Sequence, residues 1–389
     1  MRIVDIRQRT LPLASALSNS AISFRAMTAS AVAVVTDRVV GGKPVVGFAF
    51  DSPGRYGHGA LALERFAPRL LEAEPDAILD ESGDNFDPVK VWAALMSDEK
   101  PGGHGERAGA VGLIDSAIWD IVAKLEEKPL WRLLAERFGR GADRTPRRVP
   151  SYATGGYYRD GDDVPALQSE LRAGLAHGYT HFKIKAGSAP LERDRRRIEA
   201  ALSIVGGGGR LAVDLNGTFD RGRATAFLDM VEPYGLRWVE EVGDPLDFEL
   251  QAELCRRYAR PFALGENIFS RADAANLVRY GGLRPTRDIL QFDVALSYGL
   301  VEYLRILALL DESGWPRENI FPHAGHLLAL HVVGGLGLGG HEAAIDAMSF
   351  FGGYPSGSAL EQGTVDLPEH PGVGFEAHPK LYGALRPLV

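Results

Sequence analysis

From about residue 148 onward, short apolar runs alternate with amphipathic helical segments at a nearly constant spacing. The apolar runs are Val149–Ala153, His181–Lys185, Leu211–Leu215, Trp238–Glu241, Phe262–Glu266, Ile289–Val294, Ile320–His323 and a weaker one at Ala344–Met348. The helical segments between them are Val164–Ala176, Leu191–Ile204, Ala224–Val231, Phe248–Tyr258, Ala272–Tyr280 and Leu300–Leu310. This alternation is typical of a closed parallel (β/α)₈ barrel.

The residues before the barrel follow another pattern. Strand-like runs and then helical patterns occur at Ala31–Val35, Pro44–Phe48, Val89–Met96 and Ala110–Leu125. Strands that precede helices predict an α+β domain. We therefore expect an α+β domain over residues 1–135, the barrel over 136–355, and a C-terminal segment over 356–389 that packs back on the first domain.

The composition excludes several classes of protein. A net charge of −8 argues against a general nucleic-acid binder, which usually carries a basic face. No apolar run approaches the ~20 residues needed to cross a bilayer. Met1–Arg7 is an alternating strand that contains charges and does not resemble a secretory signal. We expect a cytoplasmic protein with no nucleic-acid or membrane partner, in which Cys255 packs within a helix.

Two glycine clusters are interpreted as structural. Gly206–Gly209 follows a helical pattern and precedes a strand, so it is predicted to end the helix and return the chain. Gly335–Gly340 matches G-x-G-x-x-G, the dinucleotide-binding pattern. That pattern requires a strand before it and a helix after it, and the sequence predicts neither here.

Three carboxylates follow the third, fourth and fifth barrel runs. Asp214, Glu240 and Glu266 are 26 residues apart, one βα unit each. The carboxyl ends of barrel strands meet at one mouth, and three carboxylates repel unless a cation lies between them. All-oxygen ligation favours Mg²⁺, which Mn²⁺ could replace, and argues against zinc. Asn216, two residues after Asp214, is predicted to support these ligands by a hydrogen bond.

Lysine and histidine face this predicted metal site from two other strands. Lys183 and Lys185 point to the same side of the second strand. Two adjacent ammonium groups should lower the pKa of at least one, and a neutral lysine is a competent general base. The alternative is a pair of charges neutralised by barrel acids. His323 ends the seventh strand, and Asp293 on the adjacent strand would fix its tautomer.

Two further groups accompany this pair. Glu342 opens the eighth strand and is a candidate for the same mouth. His326 follows His323 by three residues, and it either lines the pocket or packs; the sequence does not distinguish these.

Taken together, these residues resemble the mandelate racemase branch of the enolase superfamily. The resemblance rests on the K-x-K pair, the Asp/Glu/Glu ligands one strand apart and the Asp–His dyad, and it covers nearly the whole chain. It implies a TIM barrel of the (β/α)₇β type with an N-terminal α+β capping domain. It also implies Mg²⁺ as cofactor and removal of a proton next to a carboxylate, with an ene-diolate stabilised by the metal.

Within this branch the chain is most similar to the D-tartrate dehydratase family. The segments that carry the similarity are Asn85–Ala94, Glu99–Arg107, Ala153–Tyr158, Glu240–Leu246 and Ala295–Leu300. The similarity implies dehydration of a small hydroxy diacid, D-tartrate to oxaloacetate in that family. Lys185 would remove the α-proton, and His323 would protonate the departing β-hydroxyl.

The same similarity suggests residues that bind the substrate. Asn19 and Lys100 look like the capping-domain groups that hold its far carboxylate, and Lys183 and Glu342 would support the reacting end. A homo-oligomer is also expected.

Other functions remain open on the same scaffold. A racemase or epimerase would use the two bases to exchange the α-proton, and another small hydroxy acid could be the dehydratase substrate. A metal-dependent hydrolase normally carries an H-x-H pair after the first strand, which Val149–Tyr152 lacks. A non-catalytic barrel-derived binding protein would not need a complete set of metal, base and acid residues.

Overall fold

An antiparallel sheet and a set of helices form the N-terminal part of the chain, which the computed structural model describes over residues 1–139, 141–344 and 353–389. The sheet has the order β1-β2-β3, with β1 at Ile3–Pro12, β2 at Thr28–Val40 and β3 at Lys43–Phe50. The helices are α1 (Gly59–Leu61), α2 (Ala67–Leu71), α3 (Pro88–Leu95), α4 (Glu106–Leu125) and α5 (Leu130–Phe138), with a π-helical turn at Ala62–Phe66. This is the predicted α+β capping domain.

The long helix α4 lies between the capping sheet and the barrel. It is buried along nearly its whole length because both neighbours approach its backbone closely. A Cβ atom on Gly47 of β3 would lie 2.0 Å from the carbonyl oxygen of Ala117, and one on Gly112 would lie 1.8 Å from that of Ala295. Glycine at both positions therefore permits the layers to pack together.

A parallel barrel follows and confirms the predicted fold class. Its strands are β4 (Arg148–Gly155), β5 (Phe182–Lys185), β6 (Leu211–Asp214), β7 (Val239–Glu240), β8 (Phe262–Leu264), β9 (Ile289–Leu290) and β10 (His341–Ala344). Strands β4 to β9 pair in chain order, and β10 pairs in parallel with β4. Its helices are α6 (Val164–Ala176), α7 (Leu191–Val205), α8 (Arg221–Val231), α9 (Phe248–Arg257), α10 (Arg271–Tyr280), α11 (Leu300–Glu312) and α12 (Leu327–Leu336).

The seventh barrel position differs from the prediction of a regular strand at Ile320–His323. Ile320 makes only an isolated parallel bridge to Leu290 of β9. The amide of Phe321 donates to the Leu290 carbonyl at 2.8 Å, and Gly339 donates to the Ile320 carbonyl at 2.9 Å. This extended segment therefore closes the barrel between β9 and β10. Much of the weak eighth run predicted at Ala344–Met348 lies outside the described residues.

Both glycine clusters end helices. Gly206 terminates α7 with a φ of +85°, as predicted. Gly335–Gly340 spans the end of α12 and leads into β10, so a helix precedes it and a strand follows. That order is the reverse of a dinucleotide-binding turn.

Cys255 is buried in α9, as predicted, and burial raises the pKa of its thiol to about 11.

The C-terminal segment contacts both parts of the molecule. Strands β11 (Leu360–Glu361) and β12 (Thr364–Asp366) form a hairpin, and β12 pairs antiparallel with β4. The chain then crosses to the capping domain, where α13 (Pro379–Leu385) places Tyr382 edge-on to Phe48, with ring centroids 6.0 Å apart. The domain boundaries predicted from the sequence, 1–135, 136–355 and 356–389, remain a proposal. Across the described helices, none has the length and apolar character required to span a membrane.

Candidate active site

A cavity of about 220 Å³ lies at the carboxyl ends of the barrel strands, beneath two loops of the capping domain. The capping domain contributes residues 19–24 and 53–55 to its wall. The polar residues that line the cavity are Asn19, Arg55, Thr154, Tyr157, Lys185, Asn216, Glu266, Asn267, His323 and Glu342. The acids and bases of the barrel therefore face a chamber that the cap partly covers.

The three predicted metal ligands converge. Asp214 ends β6, Glu240 ends β7 and Glu266 follows β8, and one carboxylate oxygen from each lies within 4.8 Å of the others. Burial, with the added repulsion of Asp214, Glu342 and Glu266, raises the pKa of Glu240 to about 8 despite the attraction of Lys183. Among the described residues, the buried Oε2 of Glu266 has no hydrogen-bond donor. Repelling oxygens with an unfilled acceptor suit a hard divalent cation.

Both lysines of β5 contact buried carboxylates. Lys183 donates a hydrogen bond to Glu240 and lies 3.0 Å from Oε1 of Glu342, and Lys185 donates to Asp214. Burial alone would lower both pKa values, but these carboxylates raise the pKa of each lysine above its ordinary value. The prediction of a lowered lysine pKa was therefore wrong for this arrangement of charges.

The Asp–His dyad is formed as predicted from the neighbouring strands. Nδ1 of His323 lies 2.8 Å from Oδ2 of Asp293, whose other oxygen accepts the amides of Ala295 and Leu296 at 2.8 and 2.9 Å. Nε2 of His323 lies 3.4 Å from Oε2 of Glu266. Burial lowers the pKa of His323, but Glu266 and Asp293 outweigh it and raise that pKa to about 10. Both carboxylates therefore favour the protonated form of the imidazole.

Lys185 and His323 contact different members of the carboxylate triplet. Lys185 contacts Asp214, the first of the three acids, and His323 approaches Glu266, the last. Both side chains line the cavity. A ligand held by the triplet would therefore lie near both Lys185 and His323.

Asn216 and Glu342 adjoin this group. Asn216 has a φ of +47°, and its Nδ2 donates to Oδ2 of Asp214 at 3.2 Å, which is the supporting contact expected from the sequence. The hydroxyl of Tyr152 donates to Oε2 of Glu342 at 3.3 Å. Burial disfavours the charged form of Glu342, but Lys183 and then His323 outweigh it and lower its pKa to about 2.

The capping-domain residues do not all lie where the sequence placed them. Asn19 lines the cavity, and its Oδ1 accepts the amides of Ala21 and Ile22 at 2.9 and 2.8 Å, which fixes that loop. Lys100 is exposed and is not part of the cavity wall, so the expectation of direct substrate contact is corrected. The guanidinium of Arg107 donates a hydrogen bond to the backbone carbonyl of Lys100 at 3.0 Å.

Sequence reasoning missed Arg55, which enters the cavity from the loop after β3. Its guanidinium donates to Asn267 and lies 4.7 Å above the ring of Phe269. It lies in an irregular loop, whose direction the sequence pattern does not indicate. His326 packs instead of lining the cavity: it is buried, caps α12 and meets Phe50 edge-on.

Comparison with known proteins identifies the family. The enolase C-terminal domain-like family matches residues 166–381, more than half of the chain. The chain belongs to the enolase superfamily. Arabinonate dehydratase of Saccharolobus solfataricus is 25% identical over 320 residues, which cover 81% of this chain and 80% of that protein. L-talarate/galactarate dehydratase of Salmonella typhimurium is 27% identical over 329 residues, covering 83% and 75%.

A solved structure shows the same fold. A racemase from Streptomyces coelicolor A3(2) with bound magnesium aligns with a TM-score of 0.76 at 23% identity. The alignment covers 97% of this chain and 99% of the racemase. At this coverage the alignment includes the capping domain as well as the barrel, so the two proteins share both parts of the architecture.

Proposed function

We propose that this enolase-superfamily member is a Mg²⁺-dependent acid-sugar dehydratase, a hydro-lyase that converts a small hydroxy diacid to a 2-keto acid. The observation that carries the proposal is that Lys185 and His323 both line the cavity and contact different members of the carboxylate triplet. The two curated relatives described above, both dehydratases, support it. D-tartrate, with oxaloacetate as product, is the first substrate to test.

Asp214, Glu240 and Glu266 would hold the Mg²⁺ ion. When bound, Mg²⁺ supplies a fixed positive charge that stabilises the negative charge developing on the substrate carboxylate. Lys185 must be neutral to act as a base, which its contact with Asp214 opposes. We propose that this contact is lost when Asp214 serves as a ligand, so that the pKa of Lys185 falls.

The reaction then requires two proton transfers by residues of the chain. Nζ of Lys185 takes the proton from the α-carbon, and the electron pair of that C–H bond moves into the adjacent carboxylate of the substrate. In a second step this electron pair forms a C=C bond as the bond to the β-hydroxyl breaks. Nε2 of His323 gives its proton to the departing hydroxyl, which leaves as water, while Asp293 holds Nδ1. The enol product tautomerises to the keto acid. Each proton transfer contributes about 10²–10⁴-fold to such a rate.

The cap side of the cavity supports a second carboxylate on the substrate. Arg55 has no carboxylate partner among the described residues, and Asn19 lies on the same loop-covered wall. A guanidinium in a partly enclosed cavity is suited to bind a carboxylate with two hydrogen bonds. A diacid could therefore place one carboxylate at the metal and the other at the cap.

A panel of acid sugars tests this proposal. The purified protein with several mM Mg²⁺ is incubated with D-tartrate and with four- to six-carbon mono- and diacid sugars, and keto acid is measured as its semicarbazone. We expect product from at least one diacid. Product from another diacid and none from D-tartrate would remove only the tartrate assignment, whereas no product from any acid would contradict the dehydratase proposal.

Racemisation is the second candidate, because a base and an acid on opposite sides of a substrate can also invert its α-carbon. Incubation in D₂O separates the two reactions. Deuterium in recovered, inverted substrate without keto acid would favour a racemase or epimerase. Keto acid formation favours the dehydratase.

A further inference from the structure

We propose that Ser52 of the capping domain is a positioning residue for the acid step, acting through Asp293 on His323. This inference rests on the dehydratase function proposed above. It extends the Asp–His dyad into a chain of three side chains that begins in one domain and ends at the cavity of the other.

The contacts of Asp293 identify Ser52 as part of this chain. Oγ of Ser52 donates to Oδ2 of Asp293 at 2.6 Å, and the same oxygen accepts Nδ1 of His323 at 2.8 Å. Both Ser52 and Asp293 are completely buried. The other carboxylate oxygen, Oδ1, already accepts two backbone amides. The hydroxyl bound to Oδ2 therefore restricts the remaining rotation of the carboxylate group. The plane of this group sets the direction in which the imidazole points.

The capping domain holds Ser52 firmly in this place. Its neighbour Asp51 accepts the amides of Ser30 and His58 at 2.7 and 2.9 Å, and lies 3.2 Å from Nδ1 of His58. These contacts fix the chain where β3 ends, directly before Ser52. The hydroxyl therefore transmits the position of the cap to the acid of the barrel, and His323 is correctly oriented only when the capping domain is in contact.

Two reactions of one substrate distinguish orientation of His323 from general support of the fold. Lys185 drives exchange of the α-proton with D₂O, whereas elimination also needs His323 to protonate the leaving hydroxyl. A residue that orients His323 should affect elimination and leave exchange largely intact. A residue that only stabilises the fold should affect both reactions to the same extent.

The experiment compares Ser52→Ala, Ser52→Thr and wild type on the substrate that wild type dehydrates, with ¹H NMR in D₂O to follow exchange and keto acid formation together. We expect Ser52→Ala to lower kcat for elimination by about 10- to 100-fold, a part of the 10²–10⁴-fold that an acid step supplies. KM and the exchange rate should change less than threefold. Ser52→Thr, which keeps a hydroxyl, should restore most of the elimination rate.

A buried serine away from the site provides the matched control. Ser116 of α4 is buried and donates to the Gly112 carbonyl at 2.7 Å, so Ser116→Ala removes a buried hydroxyl without reaching the dyad. If Ser52→Ala does not fold, Ser52→Thr and Ser52→Val are compared, since they crowd the site equally and differ only in the hydroxyl. Threonine should be the more active in elimination.

Two results would overturn the positioning role alone: elimination by Ser52→Ala at the wild-type rate, or an equal loss of exchange and elimination. In both cases wild type is active, and the dehydratase function stands. Absence of exchange and of elimination in wild type with every acid would instead contradict the proposed function, and this inference with it.

Discussion

At the scale of single residues, Lys185 and Arg55 bring positive charge to the cavity from different domains. Lys185 comes from β5, where it contacts a carboxylate, and Arg55 comes from the cap, where it contacts an amide and an aromatic ring. The positions of Lys185 and of the acids could be predicted because strand ends follow from periodicity. Arg55 and Lys100 could not be placed, because irregular loops carry no periodic signal that fixes their direction.

Arg55 and Lys100 give a direct test of the cap side of the cavity. Arg55→Met should raise KM for a diacid by roughly tenfold or more, because a hydrogen bond to a charged group contributes about 1.5–3 kcal/mol. Lys100→Met removes a positive charge that lies outside the cavity and should leave KM unchanged. Steady-state kinetics of both variants give the two KM values. A larger increase in KM for Lys100→Met than for Arg55→Met would contradict the assigned positions of the two residues.

The raised pKa of the buried Asp115 carboxyl group predicts that the stability of the protein depends on pH. Burial raises its pKa to about 8, although the amides of Leu300 and Val301 oppose this. The folded state therefore keeps a proton that the unfolded state, with a pKa near 3.8, releases. The contribution to stability is largest below pH 4 and is lost as the pH rises towards 8, by up to about 1.4 kcal/mol per pH unit.

Asp115→Asn removes this titration. Its melting temperature should rise relative to that of wild type as the pH is raised from 5 to 8, and thermal melts of the two proteins across that range give the difference. A difference that does not change with pH would show that Asp115 does not carry the raised pKa.

At the scale of elements, α4 joins the two domains and the barrel strands are short. The sequence predicted strands of four to six residues, whereas β7 and β9 have two and β4 has eight. Helix α12 was missed because it is apolar on all sides and shows no helical periodicity. Helices with one buried face, such as α6, could be predicted at their observed bounds.

Gly112 tests the contact between α4 and the barrel. Gly112→Ala would place a Cβ atom 1.8 Å from the carbonyl of Ala295, two residues after Asp293. We expect a loss of about 1–3 kcal/mol in stability, the usual cost of overpacking, together with reduced activity. A methyl group added at Gly383 of α13 would meet no atom within 4 Å, so Gly383→Ala is the control and should be neutral or stabilising. Equal melting temperatures for both variants would contradict the close packing of α4.

At the scale of the whole molecule, the reaction chamber belongs to neither domain alone. The barrel supplies the acids and bases, the cap supplies Ser52, Asn19 and Arg55, and the C-terminal segment joins the two. The barrel and its mouth could be predicted from strand spacing, because closure of eight parallel units brings their ends together. The contacts of the cap could not, since they depend on how two separately patterned domains pack.

Metal binding should stabilise the whole protein through the carboxylate triplet. At a Mg²⁺ concentration 100 times Kd, the gain is about 2.7 kcal/mol, so EDTA should lower the melting temperature and Mg²⁺ should restore it. Glu266→Gln should abolish the Mg²⁺-dependent increase. Glu249→Gln, an exposed change on α9, is the control and should retain it. An unchanged increase in Glu266→Gln would place the metal elsewhere.

The central claim is that Lys185 removes the proton next to a carboxylate held at this metal site. Its most direct test is ¹H NMR of the acid-sugar panel in D₂O with Mg²⁺, comparing wild type with Lys185→Ala. For at least one diacid, wild type should remove the α-proton signal and form keto acid, and Lys185→Ala should lower both rates by at least 10²-fold while Mg²⁺ still raises its melting temperature. Lys185→Ala with one-tenth or more of the wild-type rate would contradict the account.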